Sequence, residues 1–179
     1  DEPGFVDLLY LISQGSQFRV GSIDIFGNKV TQDRVIRRRL LVAPGELYNT
    51  LKIQRSQQRL MDSSLFSNVQ FSDESVSGSR RDIKINVTET HTAMFMMGVS
   101  VNSDAGVLGD FRFTQRNFDL FNFPTFQGAG QYLSFRAAPG SDLTQFSIDF
   151  REPYVADLPI SFGQSIYLHT RGRDDYDES

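Results

Sequence analysis

The sequence predicts two successive architectures: a small α+β module of order β-α-α-β-β, then about five long antiparallel β-strands. Three observations lead there. Between residues 18 and 89, strand-like runs flank two stretches of helical periodicity. From Ala93 onward, apolar and polar residues alternate in runs of about ten, separated by turn chemistry. No run of eighteen apolar residues occurs, so no transmembrane helix is expected, and a transmembrane β-barrel needs none.

The elements follow in order. Phe5–Ile12 reads as a strand that ends at Ser13-Gln14-Gly15-Ser16. Phe18–Phe26 reads as a second strand, with Val20, Ser22 and Asp24 on one face and Arg19, Gly21, Ile23 and Ile25 on the other. Gly27-Asn28 ends it. Thr31 stands at a helix N-cap position, Asp33 suits the first-turn dipole, and Val30 and Val35 occupy staple positions. That helix should run through Val35, Ile36, Leu40 and Leu41 and stop at Pro44-Gly45. A second helix starts near Asn49 or Thr50 and presents Ile53, Leu60 and Met61. Asn68–Phe71 and Arg81–Val87 read as strands, and the polar stretch Asp73–Ser79 reads as their hairpin loop.

The later strands carry one apolar and one polar face. Phe95, Met97, Val99 and Val101 alternate with Met96, Gly98, Ser100 and Asn102. Val107, Phe111 and Phe113 alternate with Asp110, Arg112, Thr114 and Arg116, and Asn117–Gln127 is a Phe-rich connection. Ala129, Leu133, Phe135 and Ala137 share a face with one polar exception, Gln131, and oppose Tyr132, Ser134 and Arg136. Phe146, Ile148 and Phe150 oppose Gln145, Ser147, Asp149 and Arg151. Ile160, Phe162, Ile166 and Leu168 oppose Ser161, Gly163, Ser165, Tyr167 and His169. Such alternation fits a soluble sheet as well. Strand length near the 9–11 residues that cross a bilayer, in five successive strands, favours a barrel with a wet lumen and a lipid face. Five strands do not close an even-numbered bacterial barrel of eight or more, so a truncated chain is expected.

Composition narrows the function classes. The chain has 179 residues, a net charge of −4 and an isoelectric point near 5.1, which argues against nucleic-acid binding by bulk charge. It has no cysteine, so disulfide and thiolate chemistry are excluded. His91 and His169 have no spacing that suggests a metal site, and Asp174–Glu178 lacks the glycine pattern of a calcium loop. Gly128-Ala129-Gly130 lacks the third glycine of a dinucleotide loop. No nucleophile–base constellation is found. No enzyme activity, cofactor or metal is expected.

The ordered motifs carry a resemblance. Phe26-Gly27-Asn28, Thr31, Val35-Ile36-Arg37-Arg38, Pro44-Gly45, Tyr48-Asn49, Gln58-Arg59-Leu60, Leu65–Val69 and Asp82–Glu89 together resemble a POTRA (polypeptide-transport-associated) domain. Gly128-Ala129-Gly130-Gln131, Arg151-Glu152-Pro153-Tyr154 and Asp157–Ser161 are similar to early barrel strands and turns of BamA-like outer-membrane assembly factors. The resemblance covers nearly the whole chain. It implies the last strand of a preceding POTRA domain in residues 1–15, a POTRA domain in 18–90, and the N-terminal part of an outer-membrane barrel in 93–179.

The function it implies is assembly: folding and inserting β-barrel proteins into the bacterial outer membrane by β-strand templating, with the POTRA part in the periplasm. The first barrel strand would pair with clients, through Ala93, Phe95, Met97, Gly98, Val99 and Val101. Gly98 would loosen that strand. Accessory lipoproteins would dock on the POTRA domain at Arg37, Arg38 and Glu46, and its sheet edge, with Val69 and Phe71, would accept extended segments. On their residues alone, Arg37-Arg38-Arg39 read as a solvated charged helix surface. The implied partners are unfolded outer-membrane proteins, accessory assembly lipoproteins and the lipid bilayer, and no nucleic acid. The alternatives are a related two-partner-secretion or translocation pore, or a soluble periplasmic scaffold.

Overall fold

The structure, a computed structural model, describes residues 9–11, 16–76, 78–102, 106–141 and 143–171. Two sheets follow each other along the chain. The first contains β1 (Arg19–Phe26), β2 (Phe66–Val76) and β3 (Arg80–Glu89) in the order β1-β3-β2. The central β3 is parallel to β1 and antiparallel to β2. The crossover from β1 contains α1 (Asp33–Arg37) and α2 (Thr50–Asp62). Both helices bury their apolar residues in one core with the sheet: Val35, Ile36, Ile53 and Leu60 meet Ile83, Ile85 and Val69. Buried Ser56 ties α2 to the segment that follows α1. Its hydroxyl donates to the Lys52 carbonyl (2.7 Å) and accepts from the Leu41 amide (2.8 Å).

Several expectations are corrected here. The first helix ends at Arg37, well short of Leu41, because Arg39 and Leu40 turn back on Ile36 and Arg37 through three-residue bonds of 3.0 Å. Its N-cap is Gln32, with no side-chain cap bond, because Thr31 is engaged elsewhere. Val20 and Ile23 are both buried, since a register shift between them breaks the period of two on β1. The polar Asp73–Ser79 stretch is not all loop. β2 continues to Val76, and the Arg81–Asp73 pair (2.7 Å) on one face and the Lys84–Glu74 pair on the other hold it to β3. On α2, Ile53 and Leu60 are buried as expected, whereas Met61 is exposed. Of Phe5–Ile12, only Leu9–Leu11 are described; they are exposed and in no strand, and the rest lie outside the described residues.

The second sheet has five antiparallel strands in chain order: β4 (Ala93–Asn102), β5 (Gly106–Phe118), β6 (Gln131–Ala138), β7 (Leu143–Glu152) and β8 (Phe162–Arg171). A short 3₁₀ turn, Val155–Asp157, lies between β7 and β8. The register places like with like. Phe95 faces Phe113, Phe113 faces Phe135, Phe135 faces Ile148, and Ile148 faces Ile166. The adjacent row runs Met96, Arg112, Arg136, Ser147 and Tyr167. Directly opposed residues share a face, so one face is largely apolar, with Gln115 and Gln164 set among its apolar side chains, and the other is largely polar. Arg136 and Asp110 form a two-bond pair on the polar face, at 2.8 and 3.1 Å. This is the β-α-α-β-β module and five-stranded sheet that the sequence predicts.

Candidate functional site

Among the described residues the structure offers three open sheet edges, β4, β8 and β2, and a polar joint between the sheets; β4 and β2 are the two nearest in sequence to that joint. The first edge is β4, which pairs with β5 alone. Ala93, Phe95, Met97, Val99 and Val101 share its apolar face. Gly98 lies on the other face opposite Asp110, with open space where a side chain would stand. The outer backbone groups of this strand are unpaired among the described residues, which makes it a template for another strand.

The second edge is β2. The opposite edge of that sheet, β1, is partly covered: the Gly45–Tyr48 segment bonds to Phe18 and Val20 at 2.8 Å. Along β2, Val69 is buried and Phe71 half-buried against the core, so these side chains are committed inward. What β2 offers is backbone, except at the Val69 carbonyl, which accepts from Gln57 Nε2 (2.8 Å).

The joint lies where β3 hands over to β4. Glu89, the last residue of β3, accepts from the backbone amides of Lys29, Val30 and Thr31 at 2.6 to 3.2 Å. Burial pushes the Glu89 carboxyl up, but bonds from the Thr31 side chain and from these amides outweigh it and hold the pKa below the ordinary value. Thr31 Oγ1 also accepts from Asn117 Nδ2 (3.0 Å), and Asn117 Oδ1 accepts from the Gly130 amide (2.9 Å). Gln32 bonds twice, its amide to the Gly128 carbonyl (3.0 Å) and its Nε2 to Asp119 (2.6 Å). Thr31, Asn117 and Asp119 are all buried, so this is a satisfied interior network.

The arginines of α1 divide at this joint. Arg37 stays outside, paired with Asp33 (2.5 Å) and donating to the Ile23 carbonyl (3.1 Å). The Arg38 side chain is only 6% exposed. It donates to the Ala129 carbonyl (2.8 Å) and Asp157 (3.2 Å), lies 3.9 Å from Glu152, and stacks 4.7 Å from the centre of the Tyr154 ring. Arg39 is buried on the same ring at 5.3 Å and donates to the Val35 carbonyl (2.5 Å). Desolvation, with neighbouring Arg38, lowers its pKa to about 10. The solvated helix surface expected for all three therefore holds for Arg37 alone. Glu46 sits near the other end of β1, paired with Lys52 (3.1 Å). The structure thus does not gather Arg37, Arg38 and Glu46 into one patch.

The joint also explains two of the sequence motifs. Gly128 and Gly130 have φ of +119° and +69°, and a Cβ would lie 2.6 Å from the Val30 oxygen or 2.9 Å from Val35 Cγ1. Only glycine lets these backbones approach α1. Glu152 binds Gln131 Nε2 (2.9 Å) and the Tyr154 amide (2.9 Å) beneath Arg38. These interactions use the first residues of the expected Gly128 strand, which is why β6 starts at Gln131.

Comparison with known proteins agrees with this geometry. Residues 18–90 match the POTRA family, described as a surface antigen variable number repeat. BamA of Neorickettsia risticii, an outer membrane protein assembly factor, is 28% identical over 171 residues, 96% of this chain and 22% of that protein. The protein of the same name from Neisseria meningitidis serogroup B is 30% identical over 164 residues, 90% of this chain and 20% of that protein. The crystal structure of BamA from Haemophilus ducreyi lacking POTRA domains 1–3 superposes with a TM-score of 0.75 at 24% identity, covering 89% of this chain and 29% of that one. The fold is thus that of a POTRA domain leading into barrel-type strands. Over nearly its whole length the chain is similar to outer membrane protein assembly factors named BamA. It spans about a fifth of the length of these curated relatives.

Proposed function

We propose that this chain works in folding and inserting β-barrel proteins into the bacterial outer membrane, and that it does so by strand pairing. The observation that carries the reading is β4: of the two uncovered edge strands of the two-faced sheet, β4 and β8, it is the one that follows directly from the first module, whose β2 edge is also uncovered. Main-chain pairing tolerates many client sequences because it uses groups every residue has. β2 would hold an extended client in the periplasm, and β4 would template its entry beside the membrane. The apolar face would meet lipid and the polar face the lumen. Gly98 lowers the stability of β4 pairing and so favours exchange of partners. Residues 93–171 then form the N-terminal part of the barrel, and accessory lipoproteins would meet the POTRA module where charge remains exposed, at Arg37 and Glu46.

Liposome insertion with the full-length protein tests this. Residues 1–179 hold no cysteine, so with any cysteine elsewhere in the full-length protein replaced by serine, one placed at Val99 is a clean crosslinking site on β4. A stalled client strand should be trapped there while other clients insert normally. Full insertion without any crosslink along β4 contradicts templating. Export of one partner protein with no client insertion would support the secretion-pore reading.

A further inference from the structure

The connection between β5 and β6 is unusually aromatic. Phe118, Phe121, Phe123 and Phe126 fall within nine residues. Phe121 and Phe123 are 87% and 80% exposed, and Leu120 is half exposed. The loop is internally braced. Asp119, itself buried, accepts from the Phe121 amide (3.0 Å), its own amide donates to the Phe126 carbonyl (2.9 Å), and Asn122 Nδ2 donates to the Gln127 carbonyl (2.7 Å). Asp119 is also bonded to Gln32 of the first module. Phe126 holds a left-handed φ of 49°, strained for an aromatic residue.

The rings are continuous with the apolar face of the sheet. Phe150, on that face, meets Phe118 edge-on at 6.4 Å. Phe118 stacks on Phe126 at 6.0 Å, and Phe126 meets Phe123 edge-on at 5.6 Å. An aromatic path thus runs off the apolar face and out to the loop. The next turn at the same end of the sheet also shows apolar groups, with Leu158 and Ile160 more than half exposed. The turn at the other end, by contrast, exposes Pro139 and Ser141.

We infer that the Phe118–Phe126 loop is a membrane-interface anchor, with Phe121 and Phe123 seated in the leaflet that faces the POTRA module. This deepens the barrel reading and rests on it, because the aromatic path has a lipid end only if the apolar face meets lipid. Rings at that level gain from an apolar body lying between acyl chains and water. Because Asp119 joins the loop to Gln32, the anchor would also set the height of the first module below the bilayer.

Residues 1–179 contain no tryptophan, and subtracting the parent protein's emission isolates each Trp introduced there. Phe121→Trp, Phe123→Trp and Phe135→Trp would be made in the full-length protein and reconstituted in phosphatidylcholine brominated near the glycerol for the loop variants and at mid-chain for Phe135→Trp. Emission is read as the difference from the parent protein. Both loop variants should lose emission, roughly twofold or more, as interfacial residues do, and resist aqueous iodide. If Phe135→Trp is quenched by bromolipid but Phe121→Trp and Phe123→Trp answer to iodide, the anchor is overturned and the barrel reading stands. Loop variants shielded from both quenchers would be covered by protein, which also overturns it. If Phe135→Trp is unquenched by lipid too, the barrel reading fails and the anchor with it.

Discussion

Arg37 and Arg38 are neighbours in sequence and opposites in environment. Arg37 is 46% exposed in its side chain and makes an i,i+4 pair, the kind worth little in water. Arg38 is buried across the joint on Tyr154 and Ala129. Arg37→Glu should change unfolding stability by less than about 1 kcal/mol. Arg38→Ala should loosen the joint instead. Spin labels at Gln58 on α2 and Gln164 on β8 should give a narrow distance distribution in the parent and in Arg37→Glu, and a broad one in Arg38→Ala. Equal widths in all three would remove Arg38 from the joint. Glu89 makes a separate prediction. Its folded pKa lies below the ordinary value of 4.5, so its stabilisation is full above that value and is lost as pH falls through the depressed one. Glu89→Gln should cost about 1.5 kcal/mol at pH 7, the lower end for bonds to a partly exposed charged group. In urea unfolding of residues 18–90, that difference should shrink below pH 4.5. A difference that stays constant with pH would mean that the carboxylate charge is not what the amides bind.

At the scale of elements, α2 is the clearest case of sequence legibility. Asn49 caps it, accepting from the Lys52 amide at 3.2 Å, and Ile53 and Leu60 fall on its buried face as their spacing requires. Leu60→Ala in the isolated 18–90 module should cost about 2–5 kcal/mol, since Leu60 is fully buried beside the sheet. The module should fold cooperatively alone, because its core is complete without the second sheet. A loss below about 1 kcal/mol would mean the site collapses around the cavity. α1 was less legible. Its length is set by the turn at Arg38 and Arg39, and that turn is held by Tyr154, more than a hundred residues later. Thr31 looks like a cap in the local sequence for the same reason: Asn117, which bonds its hydroxyl, is 86 residues away. The bulge on β1 is a property of pairing, which a single strand does not display.

At the scale of the molecule, the period of two carried the second sheet almost completely. The residues expected to point together do so in register from Phe95 to Ile166, and Arg136 finds Asp110 on the other face. Local alternation suffices there because each strand is long and its two faces differ in chemistry. The joint was legible only as motifs: Gly128-Ala129-Gly130-Gln131 and Arg151-Glu152-Pro153-Tyr154 were visible, but that they meet beneath α1 was not. Chemistry spread over distant segments leaves no local period to read. The central claim is that the apolar face meets lipid and the polar face water. It is tested most directly by spin labels at Phe135 and Arg136, adjacent on β6, in the full-length protein reconstituted in lipid. Oxygen, which concentrates in the hydrocarbon, should relax the label at 135 more, and a polar nickel chelate should relax the label at 136 more. The reverse pattern, or equal access at both positions, would contradict the account.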